Sequence, residues 1–371
     1  MSDREALQEV VQQVLADAWP PLPEYGSQRS LPPVPGRLLS LAEELGWGDL
    51  EEDADGFTFT ATVLEQLGSV LGPGELVTNL TVGPMLSTVA QGGIGSDRFA
   101  VSWTAPVWRR DADAPVLDGE GDQLEMTGSV PWVLGGAPDA RLLTPADHEG
   151  RPVVLLVPVH AERTRLEQVS SSDPTRAFAH WSADAMPVAQ TQVLARDDEA
   201  VALVAELKER VNLSLALDSL GVAKAALDLT LAYAKVREQF GAPIGSFQAV
   251  KHRSVDMFVH VQCAEVLLEE AVTRFGSGAA ERCLRAKAAA CEAAAEVTRS
   301  ALQSHGAVGY TWEHPCHLLL RRAKLNQALG TPADEARRAV GASLTAALPK
   351  LPEGATAVDR LGSREGSNDQ A

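Results

Sequence analysis

The sequence predicts an α+β chain, mostly α, with a helical domain, a small antiparallel β-domain and a C-terminal helical bundle in that order. Three observations predict it. Apolar residues recur at helical spacing through the first ninety residues. Short β-branched runs broken by Asp, Gly and Pro fill the stretch from Arg98 to about Val193. Helical periodicity then returns near Ala200 and lasts to about Ala347. The expected boundaries are 1–93, 94–196 and 197–350, with a polar tail at 351–371 that is too poor in apolar residues to fold.

In the first domain a Pro/Gly-rich loop runs from Pro20 to Gly36. Leu38, Leu39, Leu41 and Leu45 with Ala42 then define one helix, and Val63, Leu64, Leu67 and Val70 a second. A third is expected to begin near Pro84, since proline suits a first helical turn, and to carry Met85, Leu86 and Val89; Leu80 and Val82 lead into it. The runs FAVSWTA, LEMTGSV, PVVLLVPV, LEQVSS and AFAHWSA supply strands. Farther on, Leu220, Ala223, Leu227, Leu231 and Ala234 make an apolar helical stripe, with Lys224, Asp228 and Lys235 on another face. The alanine-rich stretch 279–304 combines high helix propensity with side chains small enough for close helix packing.

Composition excludes several functions. A net charge of −18 repels phosphate backbones and anionic membranes, so a nucleic-acid or membrane-surface role is not expected. No stretch of about 18 uncharged apolar residues is present, and the amphipathic, acidic start has no signal-peptide pattern. The cysteines Cys263, Cys283, Cys291 and Cys316 form no C-x-x-C pair; they are read as reduced, buried thiols of a cytoplasmic protein.

Two runs stand out. Arg237 to His252 reads REQFGAPIGSFQAVKH, which ends one long helix, turns through Gly241, Pro243 and Gly245, and starts another. An arginine there can offer a planar fork to a pyrophosphate, or be a solvated corner residue. The second run begins at Gln303 and reads QSHGAVGYTWEHPCHLLLRRAK. Gly306 and Gly309 permit tight turns beside the Gln303 amide, and Pro315 suits the start of a helix bearing Arg321, Arg322 and Lys324. His305, His314, His317 and Cys316 invite a metal reading. His314 and His317 are three apart, but no second ligand pair has zinc spacing, so solvated turn histidines and no metal site are expected.

Together, at their spacing of about fifty residues, the two runs resemble the acyl-CoA dehydrogenase family, over residues 1 to about 348. The resemblance implies the family's fold, with a barrel-like middle domain and a C-terminal four-helix bundle. It also implies FAD held between the β-domain and the bundle, an acyl-CoA thioester against the flavin, and electron-transfer flavoprotein or a similar acceptor. In the family a glutamate takes the proton α to the thioester while the β-hydrogen leaves as hydride. The two motifs reach across to the FAD of a neighbouring subunit. By position, Arg237, Gln239, Phe247 and Gln248 would meet its pyrophosphate region, and Gln303 and Gly306 the rest of its adenosine diphosphate half.

Three departures qualify the resemblance. The family's T-E-P-x-A-G-S-D signature is here Thr104-Ala105-Pro106-Val107-Trp108-Arg109-Arg110-Asp111, so Thr104 can still bond a flavin but the small residues after it are gone. The W-I-T signature is Trp132-Val133-Leu134, and leucine cannot bond the flavin ring. The two positions that carry the base in different family members hold Gly330 and Val211. Asp218, two turns beyond Val211, is a candidate replacement base, or else a solvated or structural aspartate near the domain seam. Glu313, in the turn before a helix, is read as a turn residue.

An intact lending motif beside an eroded own site implies a heteromer. Here this chain would contribute contacts to FAD held by a second acyl-CoA dehydrogenase-like subunit, which would supply the base. The resemblance extends to actinobacterial α2β2 members acting on CoA thioesters of steroid side chains, so a bulky sterol-derived substrate is expected. The alternatives are a self-sufficient enzyme using Asp218, and a non-catalytic structural or regulatory protein on the same fold.

Overall fold

The structure is a computed structural model describing residues 3–20, 22, 36–45, 47, 54–89, 98–104, 115–121, 123–137, 139–276 and 278–346. The expected tail from Leu351, the Pro20–Gly36 stretch between residues 23 and 35, and the Trp108–Asp111 segment lie outside the described residues.

The helical domain contains α1 (Asp3–Ala18), α2 (Gly36–Glu44), α3 (Ala54–Ser69) and α4 (Gly74–Val89). Val11, Leu15, Leu38, Leu64 and Leu67 fill its interior. The expected start at Pro84 is corrected: α4 begins ten residues earlier and carries Pro84 inside it. The proline forfeits one backbone bond, but Val82, Met85 and Leu86 are fully buried around it, and that packing outweighs the local preference.

The middle domain is one sheet of β1 (Phe99–Ser102), β2 (Val116–Asp118), β3 (Leu124–Leu134), β4 (Arg141–His148), β5 (Arg151–Pro158), β6 (Thr164–Val169), β7 (Phe178–Val188) and β8 (Val193–Arg196). The strand order is β6-β7-β3-β1-β4-β5-β8, with β2 beside β3 and β4. Most pairs are antiparallel as expected, but β1 and β2 each pair with β4 in parallel. The sheet is therefore mixed. Its inner face buries Leu117, Met126, Val130, Leu142, Leu155 and Trp181. Register shifts against β7 flank Trp132, which has φ +53°, so this edge of β3 is bulged.

Helix α5 (Asp197–Val236) is the spine of the molecule. Its first turn carries Asp197, Asp198 and Glu199, which suit the positive end of the helix dipole. It crosses α3 at glycine contacts: a Cβ on Gly68 would strike the Asp218 carbonyl, and one on Gly221 the Glu65 carbonyl. A short hairpin, β9 (Glu238–Gln239) with β10 (Ala242–Pro243), leads to α6 (Gln248–Thr273). The alanine-rich stretch forms α7 (Ala280–His305), followed by α8 (Cys316–Ala328) and α9 (Ala333–Ala346). Cys283, Cys291 and Cys316 are buried as expected; Cys263 on α6 is exposed.

Candidate functional site

Three segments converge at the seam between the β-domain and the bundle. The β6–β7 connection brings Asp173, Thr175 and Arg176, α5 brings Asp218, and α8 brings Arg322 and Asn326. Arg322 is fully buried; its Nε donates to Asp173 Oδ2 at 2.6 Å and its Nη1 to Asp218 Oδ1 at 3.1 Å. Arg176 Nη2 donates to Asp218 Oδ1 at 2.7 Å, and Asn326 Nδ2 to Asp218 Oδ2 at 2.7 Å. Arg322 Nη2 also reaches the Thr175 hydroxyl at 2.6 Å. Two cations face two anions with their hydrogen-bonding capacity used inward, as buried charges require.

This geometry bears on Asp218, the candidate base. Burial by itself would raise its pKa, but Arg322, Arg176 and the Asn326 bond together hold it below the ordinary carboxylate value. Both oxygens are committed to donors and the group is 1% exposed. A proton acceptor needs a free lone pair facing the substrate and a raised pKa; Asp218 has neither. Its ion pairs with Arg176 and Arg322 join the β-domain to the bundle. Burial also pulls Arg176 down to about 10, which leaves it charged at neutral pH.

Gly330 and Val211, the two positions the resemblance matches to the family's base, are far apart in sequence and come together in the fold. A Cβ built on Gly330 would lie 3.6 Å from Val211 Cγ1, 2.9 Å from Leu215 Cδ1 and 2.7 Å from Asn212 Oδ1. Gly330 has φ +63°, and its N–H donates to the Trp103 carbonyl at 2.7 Å, forming a bridge with Thr104. Asn212 closes the place further: its amide donates to Thr331 Oγ1 at 3.0 Å and accepts from the Thr331 N–H at 2.8 Å. Val211 is fully buried. The volume a carboxylate side chain would need from Gly330 is thus filled by valine, leucine and a clamped amide.

The resemblance places Thr104 and Leu134 at flavin-contacting positions. Leu134 is 3% exposed and packed against α4, where a Cβ on Gly74 would come within 2.5 Å of its Cδ1. Val133 is buried and apolar, so neither residue carries a side-chain donor for the ring. Thr104 Oγ1 is 3.2 Å from Ser102 Oγ, whose hydroxyl donates to the Pro131 carbonyl.

At the far end of α5 the situation reverses. Arg237, Gln239, Phe247, Gln248, Gln303 and Gly306 are all exposed. Arg237 caps α5 with its N–H on the Tyr233 carbonyl, and its carbonyl accepts from the Ile244 N–H, each at 2.8 Å. The backbone of this corner is thereby fixed while the arginine side chain stays exposed. Tyr233, one turn back, stacks on His305 with centroids 4.5 Å apart. That contact puts the Gln303–Gly306 turn beside the arginine corner. Phe240, 95% exposed, meets Phe247 edge-on at 6.0 Å. Gly306 has φ +64° and open space beyond its Cα. An exposed guanidinium, exposed amides and a bare backbone turn together offer hydrogen-bond donors that suit an anionic ligand.

The histidines were expected to be solvated. His305 and His317 are instead 4% and 8% exposed. Burial lowers the pKa of both, and burial with the neighbouring His305 and His317 lowers His314 to about 4. Glu313 is exposed, and bonds to its own backbone N–H and to Thr311 lower its pKa, as befits a turn carboxylate. Sequence reading missed Asp173, Arg176, Asn326 and the fully buried Lys287, which donates to the Asn326 carbonyl and lies 3.3 Å from Cys291 Sγ. Charged residues spread over 149 positions carry no local signal of convergence.

Comparison with known proteins gives a consistent picture. Residues 207–344 match the acyl-CoA dehydrogenase C-terminal domain. Acyl-CoA dehydrogenase FadE34 of Mycobacterium tuberculosis is 36% identical over 201 residues, 53% of this chain and 26% of that protein. Acyl-CoA dehydrogenase IpdE2 of Mycolicibacterium smegmatis is 39% identical over 166 residues, 44% of this chain and 50% of that protein. The matches thus span half or less of these relatives' length. Among solved structures, the ChsE4-ChsE5 complex from Mycobacterium tuberculosis superposes with a TM-score of 0.80 at 22% identity, covering 94% of this chain and 99% of the other. A variant of the Tcur3481-Tcur3483 steroid ACAD superposes with a TM-score of 0.74 at 24% identity, covering 93% and 98%. These two share the fold.

Proposed function

We propose a function whose premise is that the chain belongs to the acyl-CoA dehydrogenase family: it is the FAD-lending subunit of a heteromeric acyl-CoA dehydrogenase. The observation that carries this reading is the contrast between two regions along α5. In one, Gly330 and Val211 occupy the base positions and their surroundings are packed shut. In the other, Arg237, Gln239, Phe247, Gln248, Gln303 and Gly306 stay exposed.

In this arrangement the partner is a related chain that holds FAD and supplies the base for forming an α,β-unsaturated acyl-CoA. FAD supplies the hydride acceptor. Arg237 neutralises pyrophosphate charge, Gln239 and Gln303 donate amide hydrogens, and Phe240 with Phe247 shields the joint from water. The Asp173–Arg322–Asp218–Arg176 cluster fixes the β-domain against the bundle, so the lending face is presented on a rigid body. The substrate expected is a bulky, steroid-derived CoA thioester. Support comes from the fold shared with the ChsE4-ChsE5 complex and with the Tcur3481-Tcur3483 steroid ACAD.

Co-expression with an acyl-CoA dehydrogenase-like neighbour should yield a yellow complex, and the chain alone should purify without flavin. A yellow, active homo-oligomer would overturn the proposal in favour of a self-sufficient enzyme. A flavin-bearing complex that oxidises no acyl-CoA with any acceptor would point to a structural or regulatory role.

A further inference from the structure

We propose that His305, His314 and Cys316 form a binding site for one soft divalent cation of the zinc class. The sequence offered no second ligand pair to complement His314 and His317. The fold provides the missing partner by bringing the last residue of α7, His305, against the first residue of α8, Cys316. One ligand atom from each of His305, His314 and Cys316 lies within 4.8 Å of the other two.

The site has features of a built one. His305 is buried, sandwiched between Tyr233 at 4.5 Å and His314 at 4.4 Å between ring centroids. Its Nδ1 is 2.8 Å from the Ala301 carbonyl, and with the proton on Nδ1 the lone pair is on Nε2. That Nε2 is buried without a hydrogen-bond partner among the described residues. The Leu229 carbonyl also lies within bonding reach of the ring and favours its protonated form. A ligating imidazole has this orientation, its other nitrogen donating to a backbone carbonyl. The Cys316 sulfur reaches the same ring, 3.5 Å from Nδ1, and is buried. His314 Nδ1 accepts only a long bond, 3.3 Å, from the Cys316 N–H, which a turn of the half-buried ring gives up.

Zinc bound by nitrogen and sulfur needs ligand–ligand edges of roughly 3.5 Å, so side-chain rotations of about an ångström close these three onto an ion. Two imidazoles and a thiolate select zinc or cobalt over magnesium or calcium. Binding replaces the Cys316 S–H proton by the metal and releases that proton to solvent, with no redox change. The fourth position is left to water. A metal here would tie α7 to α8 and brace the turn from Gln303 to Tyr310. The inference stands on these side chains alone and does not depend on the proposed heteromer.

Cobalt(II) titration of the full chain tests it, in a Cys263→Ser background that removes the exposed thiol. The expected result is saturation at one equivalent, with a thiolate-to-cobalt charge-transfer band and the strong visible bands of a four-coordinate ion, displaced by zinc. Cys316→Ser should abolish the charge-transfer band, and His314→Ala should weaken binding at least tenfold. Circular dichroism of the metal-free variants verifies the fold. If Cys316→Ser does not fold, the half-buried His314→Ala carries the test alone. Absence of a charge-transfer band in the parent, or a band unchanged in every folded variant, overturns the site.

Discussion

Replacing Asp218 by Asn separates a structural ion from a catalytic one. Asp218 accepts from Arg176 at 2.7 Å and Arg322 at 3.1 Å through Oδ1, and from Asn326 at 2.7 Å through Oδ2. An asparagine has one acceptor and one donor. In either flip its NH2 faces an existing donor, Asn326 in one and the two arginines in the other. The cluster also changes from two cations and two anions to two cations and one anion, all buried. Removing one partner of a buried pair costs about 3–5 kcal/mol, and a donor–donor contact in either flip places the variant in the upper part of that range. The assay is urea unfolding followed by both fluorescence and circular dichroism, beside turnover of the complex below the variant's transition. We expect a large loss of stability and near-parental turnover of the folded fraction. The pH dependence follows from the lowered Asp218 pKa. Its stabilisation is fully present above the ordinary carboxylate value and is lost as pH falls through the depressed folded value, so wild type and variant should converge only in strong acid. Normal stability with abolished turnover would refute the structural assignment and restore Asp218 as a base.

Other predictions follow from close contacts and exposed groups. Gly330→Ala places a Cβ 2.7 Å from Asn212 Oδ1 at a φ of +63° and should destabilise the chain by roughly 2–4 kcal/mol, read by denaturant midpoint. Gly221→Ala must push α3 off α5, because its Cβ would overlap the Glu65 carbonyl; a lowered melting temperature with weakened packing in near-ultraviolet circular dichroism is expected. The double change Asp218→Asn with Arg176→Met should recover part of the single-variant loss, since the Arg322–Asp173 pair at 2.6 Å then stands balanced. A double variant no more stable than the single one would show that Arg176 is not coupled to Asp218.

Much of the fold was legible because its elements obey local periodicity. The alanine-rich stretch is α7 almost to the residue, and the five β-branched runs fall in strands. What failed was non-local. Alternation of side chains does not say which strand pairs with which, so the parallel β1–β4 pairing was invisible. Pro84 read as a helix start because its missing N–H is a local cost, whereas the burial that tolerates it is tertiary. The helix–turn–helix corner after Arg237 was legible, since its turn glycines and proline lie in one contiguous run, and Arg237 and Gln303 are exposed there. The surroundings of Asp218 were not, because its partners come from two other segments, the β6–β7 connection and α8. The histidines misled for the same reason: a turn in sequence suggests solvent, but Tyr233 and Cys316 enclose His305.

The central claim is that this chain serves a flavin it does not hold. The most direct measurement is the FAD retained per complex when Arg237→Ala is introduced on this chain only, with the partner unchanged. Arg237 is exposed at the end of α5, so the isolated variant should melt with the parent. The account predicts that the complex still assembles but releases FAD during gel filtration, with at least tenfold weaker rebinding. Full retention of flavin in a complex assembled from that variant would contradict it.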